Sequence, residues 1–181
     1  MARFAVLRIV ALALAVLSVT ASPTAASVIT TGDVDPGGAA TQPDPWAVGG
    51  DLKVGDTGIG TLNVDAGSMV SNTQGYIGRN VGSTGQATVT GPGSQWNNTS
   101  WLSVGHGGYG TLNVESGGVV SNTTGFIGYE LGSMSTATVT GADSQWNSSS
   151  ELYVGYEGNG TLNVESGGVV SNTNGGIGLN S

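Results

Sequence analysis

The chain predicts an all-β fold: a right-handed parallel β-helix with about 25 residues and three short strands per coil. Three observations lead there. The word GTLNV recurs at 60–64, 110–114 and 160–164, and VSN at 70–72, 120–122 and 170–172, fifty residues apart with no insertion or deletion. A fixed period of this length marks a stacked repeat architecture, whose units bury their apolar faces only against their neighbours. A half-period lies inside each unit, because Leu62, Ala87, Leu112, Ala137 and Leu162 fall every 25 residues, as do Val64, Val89, Val114, Val139 and Val164. Within each half the apolar residues alternate with polar ones, Leu62 and Val64 against Thr61 and Asn63, and Gly, Asn and Ser separate the bursts. Such alternation is the pleat of short strands joined by turns, and no window beyond the N-terminus shows a helical period.

Taken in order, residues 1–26 read as a secretory signal peptide. Arg3 and Arg8 make a positive start, 9–17 is an uncharged apolar run, and small residues follow, with cleavage expected after Ala26 or Ala21. The run is shorter than the ~20 residues of a spanning helix, so the mature chain is expected to be exported and to carry no membrane span. Residues 27–43 read as a flexible leader or an N-terminal cap. The stretch 33–37 (DVDPG) faintly resembles an acidic calcium loop but lacks the closing glutamate, and is assigned to a leader running to Pro45. Residues 44–181 form the β-helix repeat domain, its last repeat truncated.

Inside that domain, like side chains of successive coils are expected to stack at about 4.8 Å, so that five complete rungs make a rod roughly 24 Å long. Right-handed winding follows from the usual crossover chirality. Trp46, Trp96 and Trp146 alternate with Val70, Val120 and Val170 at spacings of 24 and 26, which puts large and small groups by turns into one interior column. For the first strand two registers stand open. Leu52, Ile77, Leu102, Ile127, Leu152 and Ile177 form a column at 25, whereas matching Val54-Gly55 to Ile77-Gly78 gives 23. Gly60, Gly110 and Gly160 before strands, and Gly55, Gly105 and Gly155 after them, are read as turn glycines of positive φ. Asn63, Asn113 and Asn163 are placed outward, alternating with Thr88 and Thr138. Asn72, Asn122 and Asn172 are read as a further stacked amide ladder after the third strand.

Composition narrows the chemistry. Removing 1–26 leaves Lys53 and Arg79 as two cations against twelve acids, a formal net charge of −10. Binding of nucleic acid is not expected, since that needs clustered Lys or Arg to release counterions. With no cysteine and one histidine, neither a disulfide nor a thiolate or imidazole metal cage is available. His106 lies in a glycine-rich loop where the other repeats have Asp56 and Tyr156, and reads as a surface residue. The stretch 105–110 is no phosphate cradle, because neither helix nor lysine follows it. Asp65, Glu115 and Glu165 form a column with Thr90 and Thr140 between them. Successive acids then stand about 9.6 Å apart, too far to share a calcium ion. Glu130 and Glu157 are expected to approach each other on neighbouring rungs, and paired acids are what glycosidases use. Exposed aromatics, Tyr76, Trp101, Tyr109, Phe126, Tyr129, Tyr153 and Tyr156, either line a sugar-binding face or pack over turns.

The words GxGTLNV, GGVVSN, ATVTG and SQWN, recurring in that order over about 44–181, resemble the repeats of bacterial autotransporter (type V secretion) and PEP-CTERM-associated exported proteins. The resemblance implies a secreted or cell-surface β-helical passenger with no catalytic residues in its motif. Full-length members also carry a translocator barrel or a sorting tail, neither of which is seen here, where the chain stops at Ser181. The expected function is a non-enzymatic structural or adhesive surface module, touching glycan or matrix through polar ladders and self-associating through the open edge of its last coil. The alternative is an extracellular polysaccharide-active enzyme, lyase or glycosidase, working through Glu130 and Glu157. No catalytic, cofactor-binding or metal-binding residue is assigned.

Overall fold

The computed structural model describes residues 25–179, so the expected signal peptide lies, up to residue 24, outside the described residues. Among the described residues every regular element is a strand, and no helix there is long and apolar enough to cross a membrane. The strands form three sheets in which equivalent segments of successive coils pair in parallel. Sheet I stacks Ile59–Asp65, Thr84–Thr90, Tyr109–Glu115, Met134–Thr140 and Asn159–Glu165. Sheet II stacks Trp46–Ala47, Met69–Asn72, Gln95–Asn98, Val119–Asn122, Gln145–Ser148 and Val169–Ser171. Sheet III stacks Leu52–Val54, Gly75–Ile77, Trp101–Val104, Thr124–Ile127, Glu151–Val154 and Asn174–Ile177. The chain is therefore a parallel β-solenoid of about five turns.

Like side chains meet as the half-period requires. Val64 pairs with Val89, and Val114 with both Val89 and Val139. Trp96 pairs with Val70 on one side and Val120 on the other, and all three are fully buried. Burying one such aliphatic side chain stabilises by about 1.5–3 kcal/mol. Stacked over five rungs, these columns hold together a chain without disulfides.

Sheet III decides between the two registers left open for the first strand. Leu52 and Leu102 lie opposite Gly75, while Val54 and Val104 lie opposite Ile77, so the spacing alternates between 23 and 27. The glycine is there to make room. A Cβ at Gly75 would stand 2.8 Å from Leu102 Cδ1 and 3.1 Å from Trp96 Cζ2. The alternation itself comes from the connections to sheet I, since 78–83 and 128–133 are two residues longer than 55–58, 105–108 and 155–158.

The glycines around the strands divide into two kinds. Gly55, Gly105 and Gly155 do have positive φ, but Gly60 and Gly110 do not. They are glycine because a Cβ would lie 2.1 Å from Asp33 O and from Gly105 N respectively. Asn72 and Asn122 point inward: each is buried and accepts an indole N–H, from Trp96 and Trp146 respectively, at 2.6 Å. The amide of Asn72 also donates to Asn98 Oδ1 at 2.7 Å, and that of Asn122 to Ser148 Oγ at 3.0 Å.

The segment 33–37 is no loose leader. Ser27–Gly32 runs antiparallel to Ile59–Asp65, and Val34–Asp35 antiparallel to Leu52–Val54, which lays a lid over the first coil. Its Val28 and Val34 side chains are buried against that coil. Asp33 accepts the N–H groups of Thr57 and Gly58, both at 2.6 Å, and Asp35 pairs with Lys53 at 2.6 Å.

Candidate functional site

Sheet III brings together six of the seven aromatics singled out above, on its outer face and the turn beside it. The 23/27 register sets Phe126 beside Tyr153, and turn hydrogen bonds align Arg79, His106, Tyr129 and Tyr156 on successive coils. Two ring ladders result. His106 stacks on Tyr129 at 4.7 Å between centroids and Tyr129 on Tyr156 at 5.3 Å. Phe126 stacks on Tyr153 at 5.4 Å, and Trp101 meets Phe126 and Tyr129 edge-on at 5.9 and 6.2 Å. Tyr76 closes the cluster, edge-on to His106 at 5.2 Å with the Arg79 guanidinium 5.3 Å from its centroid. Tyr109 stands apart, on sheet I.

This geometry decides between the two readings of the aromatics. A sugar stacks on a ring face, and within these ladders the faces are turned to one another. Tyr76 and Phe126 are buried as well. The cluster is a packed seam along the rod, each ring pair contributing about 0.5–1.5 kcal/mol beyond its area.

The ionisable groups sit around that seam. Arg79 pairs with Asp56 at 3.1 Å, and His106 Nε2 lies 3.4 Å from Glu130 Oε1. Burial in the aromatic cluster holds the His106 imidazole below its usual pKa, against the opposing pull of Glu130. Glu130 and Glu157 occupy equivalent positions on adjacent coils, since Glu130 N donates to His106 O and Glu157 N to Tyr129 O. The Glu130 carboxylate is turned onto His106, over Gly107, where a Cβ would stand 2.8 Å from Glu130 Oε2. That histidine–glutamate contact was not predicted. Its signal was the 23-residue register that sets His106 beside Tyr129.

The acid column on sheet I is built as expected, with Glu115 paired to Thr90 and Thr140, and Thr140 to Glu165. Asp65 accepts Ser27 Oγ at 2.7 Å. Among the described residues no group of three or more His, Asp or Glu side chains is arranged to hold a metal ion.

Two regular surfaces remain: on sheet II the outward column Ser71, Asn97, Ser121, Asn147, Ser171 is partly tied together, Ser121 Oγ donating to Asn97 Oδ1 at 2.7 Å and Ser171 Oγ to Asn147 Oδ1 at 2.8 Å, and the other surface is the outer face of sheet I. One outward column runs Thr61, Gln86, Thr111, Thr136, Thr161 and the next Asn63, Thr88, Asn113, Thr138, Asn163, in strict register. Few of these groups are tied to each other: among the described residues Thr31 bonds Thr61, and Asn163 Nδ2 donates to Thr138 Oγ1 at 3.4 Å. The face thus presents hydroxyls and amides repeating at about 4.8 Å along the rod and about 6.6 Å along each strand. No protein-family model, curated protein or solved structure matches the chain.

Proposed function

We propose that the protein is an exported, non-enzymatic structural or adhesive module, a rigid rod whose sheet I face makes shallow, multivalent contact with glycan or extracellular matrix. The observation that carries this reading is the in-register array of largely unpaired Thr hydroxyls and Asn amides on that face. Each group offers a weak bond, and a polymer of repeating hydroxyls engages many at once, so affinity grows by multivalency. The resemblance of the repeats to those of exported passenger proteins points the same way.

Binding of the purified chain to a glycan array tests the proposal. Thr111→Val with Thr136→Val and Thr138→Val removes three hydroxyls without changing shape, and should weaken binding while leaving the melting temperature within a few degrees. Silence of the parent chain across varied glycans and matrix polymers refutes the reading.

One observation keeps the enzymatic alternative in view: Glu130 contacts the sole histidine and lies one coil from Glu157. A polysaccharide-release assay on the parent and on Glu130→Gln/Glu157→Gln separates the two. Release by the parent that the double variant loses favours the enzyme, and equal traces remove it.

A further inference from the structure

The two longer connections between sheets III and I, 78–83 and 128–133, are not slack. Ser83 and Ser133 are buried, and each closes its loop by donating both its N–H and its Oγ–H to one carbonyl, that of Asn80 or Glu130. The extra length lifts an apolar side chain into solvent at the same place in both repeats. Val81 and Leu131 are each 83 % exposed, followed by Gly82 and Gly132 with open space around them. A turn that only had to close would be served by a polar residue there.

These side chains have apolar company. Ile59, Thr84, Tyr109 and Met134 are successive members of one outward column of sheet I, and Val81 and Leu131 precede Thr84 and Met134 by three residues. Ile59 is 72 %, Tyr109 49 % and Met134 54 % exposed. Beside this ridge lies an open groove of about 330 Å³ with Tyr109, Met134 and Thr136 in its walls. Monomeric proteins rarely align large exposed apolar groups this way unless the patch meets a partner.

We propose that the ridge is a self-association surface, against which a second copy of this chain packs side by side, with Leu131 of one copy seated in the Tyr109–Met134 groove of the other. The repeat itself argues for that occupant. Val81 and Leu131 stand two coils apart, about 9.6 Å, and a partner covering both must offer receiving sites at that spacing. Another rod with the same coil spacing does so by construction. Charge agrees, because a chain of formal net charge −8 repels its own copies over most of its surface. Along this edge Glu130 is turned onto His106, and Asp65, Glu115 and Glu165 lie at the far ends of the sheet I strands, about 20 Å away. Asp33 and Asp56 stand at the Ile59 end, Asp33 on the Thr57 and Gly58 N–H groups and Asp56 paired with Arg79, and Glu157 lies at the other flank.

Sedimentation of the full chain over a wide concentration range tests this, with Val81→Ser/Leu131→Ser as the comparison and circular dichroism to confirm an unchanged fold. The parent should self-associate, and the double variant should raise the dissociation constant about a hundredfold or more, since two-fold packing uses each residue twice. The native chain has no cysteine, so Leu131→Cys chains mixed with Met134→Cys chains should form an intermolecular disulfide on mild oxidation, well above Leu131→Cys mixed with Ser171→Cys. A parent that stays monomeric overturns the proposal. So does association that persists in the double variant, which would place the contact elsewhere, as at the open edge of the last coil.

Discussion

Asn122 lies in the interior, where its Oδ1 accepts the Trp146 indole N–H at 2.6 Å and its Nδ2 donates to Ser148 Oγ at 3.0 Å. Trp146 is fully buried, so no water replaces a lost partner. Asn122→Leu keeps roughly the same volume and removes both bonds. The orphaned indole N–H then costs about 1–3 kcal/mol, and the lost donor to Ser148 adds roughly 1 kcal/mol. A total near 3 kcal/mol, at about 2–4 °C per kcal/mol for a domain of this size, lowers the melting temperature by about 6–12 °C. Trp146→Phe removes the other half of the bond and leaves Asn122 Oδ1 unpaired. The double variant leaves neither partner stranded. Its destabilisation should therefore fall short of the summed singles by about 1–3 kcal/mol. Urea denaturation of all four proteins, followed by far-ultraviolet circular dichroism, measures the cycle. Additivity within about 0.5 kcal/mol, or an Asn122→Leu protein as stable as its parent, refutes the claim that this buried bond supports the stack.

Other perturbations follow from the same packing. Gly125→Ala places a Cβ 2.7 Å from Leu152 Cδ1 and 3.1 Å from Trp146 Cζ2, an overpacking cost of about 1–3 kcal/mol. Gly49→Ala, in open space, should leave the denaturation midpoint nearly unchanged. The backbone N–H groups of Thr57 and Gly58 hold the Asp33 carboxyl below its usual pKa. Its contribution is complete above the unfolded value of about 3.9 and is lost as pH falls through the folded one. Melting curves of Asp33→Asn should lack the part of the acid loss that the parent shows below about pH 4. His106 is also depressed, by burial, so the folded state resists its protonation and stability falls as pH drops from about 6.5. Comparing the melting temperatures of parent and His106→Gln from pH 7.5 to 5 should show the parent alone losing stability in that window. Tyr129→Ala removes the middle ring of a three-ring stack and should cost about 3 kcal/mol or more, read as a shift in denaturation midpoint.

How far the fold was legible depends on what each residue type is assumed to do. Period counting alone brought Val64 beside Val89 and Trp96 between two valines, because those columns repeat at fixed spacing. The first strand stood open between 25 and 23 because two apolar series run there in parallel. Only the two-residue excess in 78–83 and 128–133 tells which of them continues. The side-chain direction of Asn72 was readable in principle: with Val70 inward, alternation sends Ser71 out and Asn72 in. The inward amide has a physical reason, since the indole N–H of the tryptophan one coil along needs an acceptor. Gly75 shows its role only in three dimensions, where it leaves space beside Trp96 and Leu102.

The open register carried over to the candidate site. His106 and Tyr129 are 23 residues apart, Tyr129 and Tyr156 27, and Phe126 and Tyr153 27. At a uniform 25 none of these rings stack, and the aromatics look like scattered platforms for sugar. At 23 and 27 they close into ladders that use their own faces. The aromatic signal and the sugar-binding signal then part company, and the free chemistry of the rod moves to the hydroxyl face of sheet I and the raised turns beside it. A glycan that bound through the aromatics would have to separate Tyr129 from His106 or Tyr156. Ligand protection of Thr111 and Thr136 with Tyr129 fluorescence unmoved is therefore what contact through sheet I requires, and a shift confined to the tyrosine ladder would contradict it.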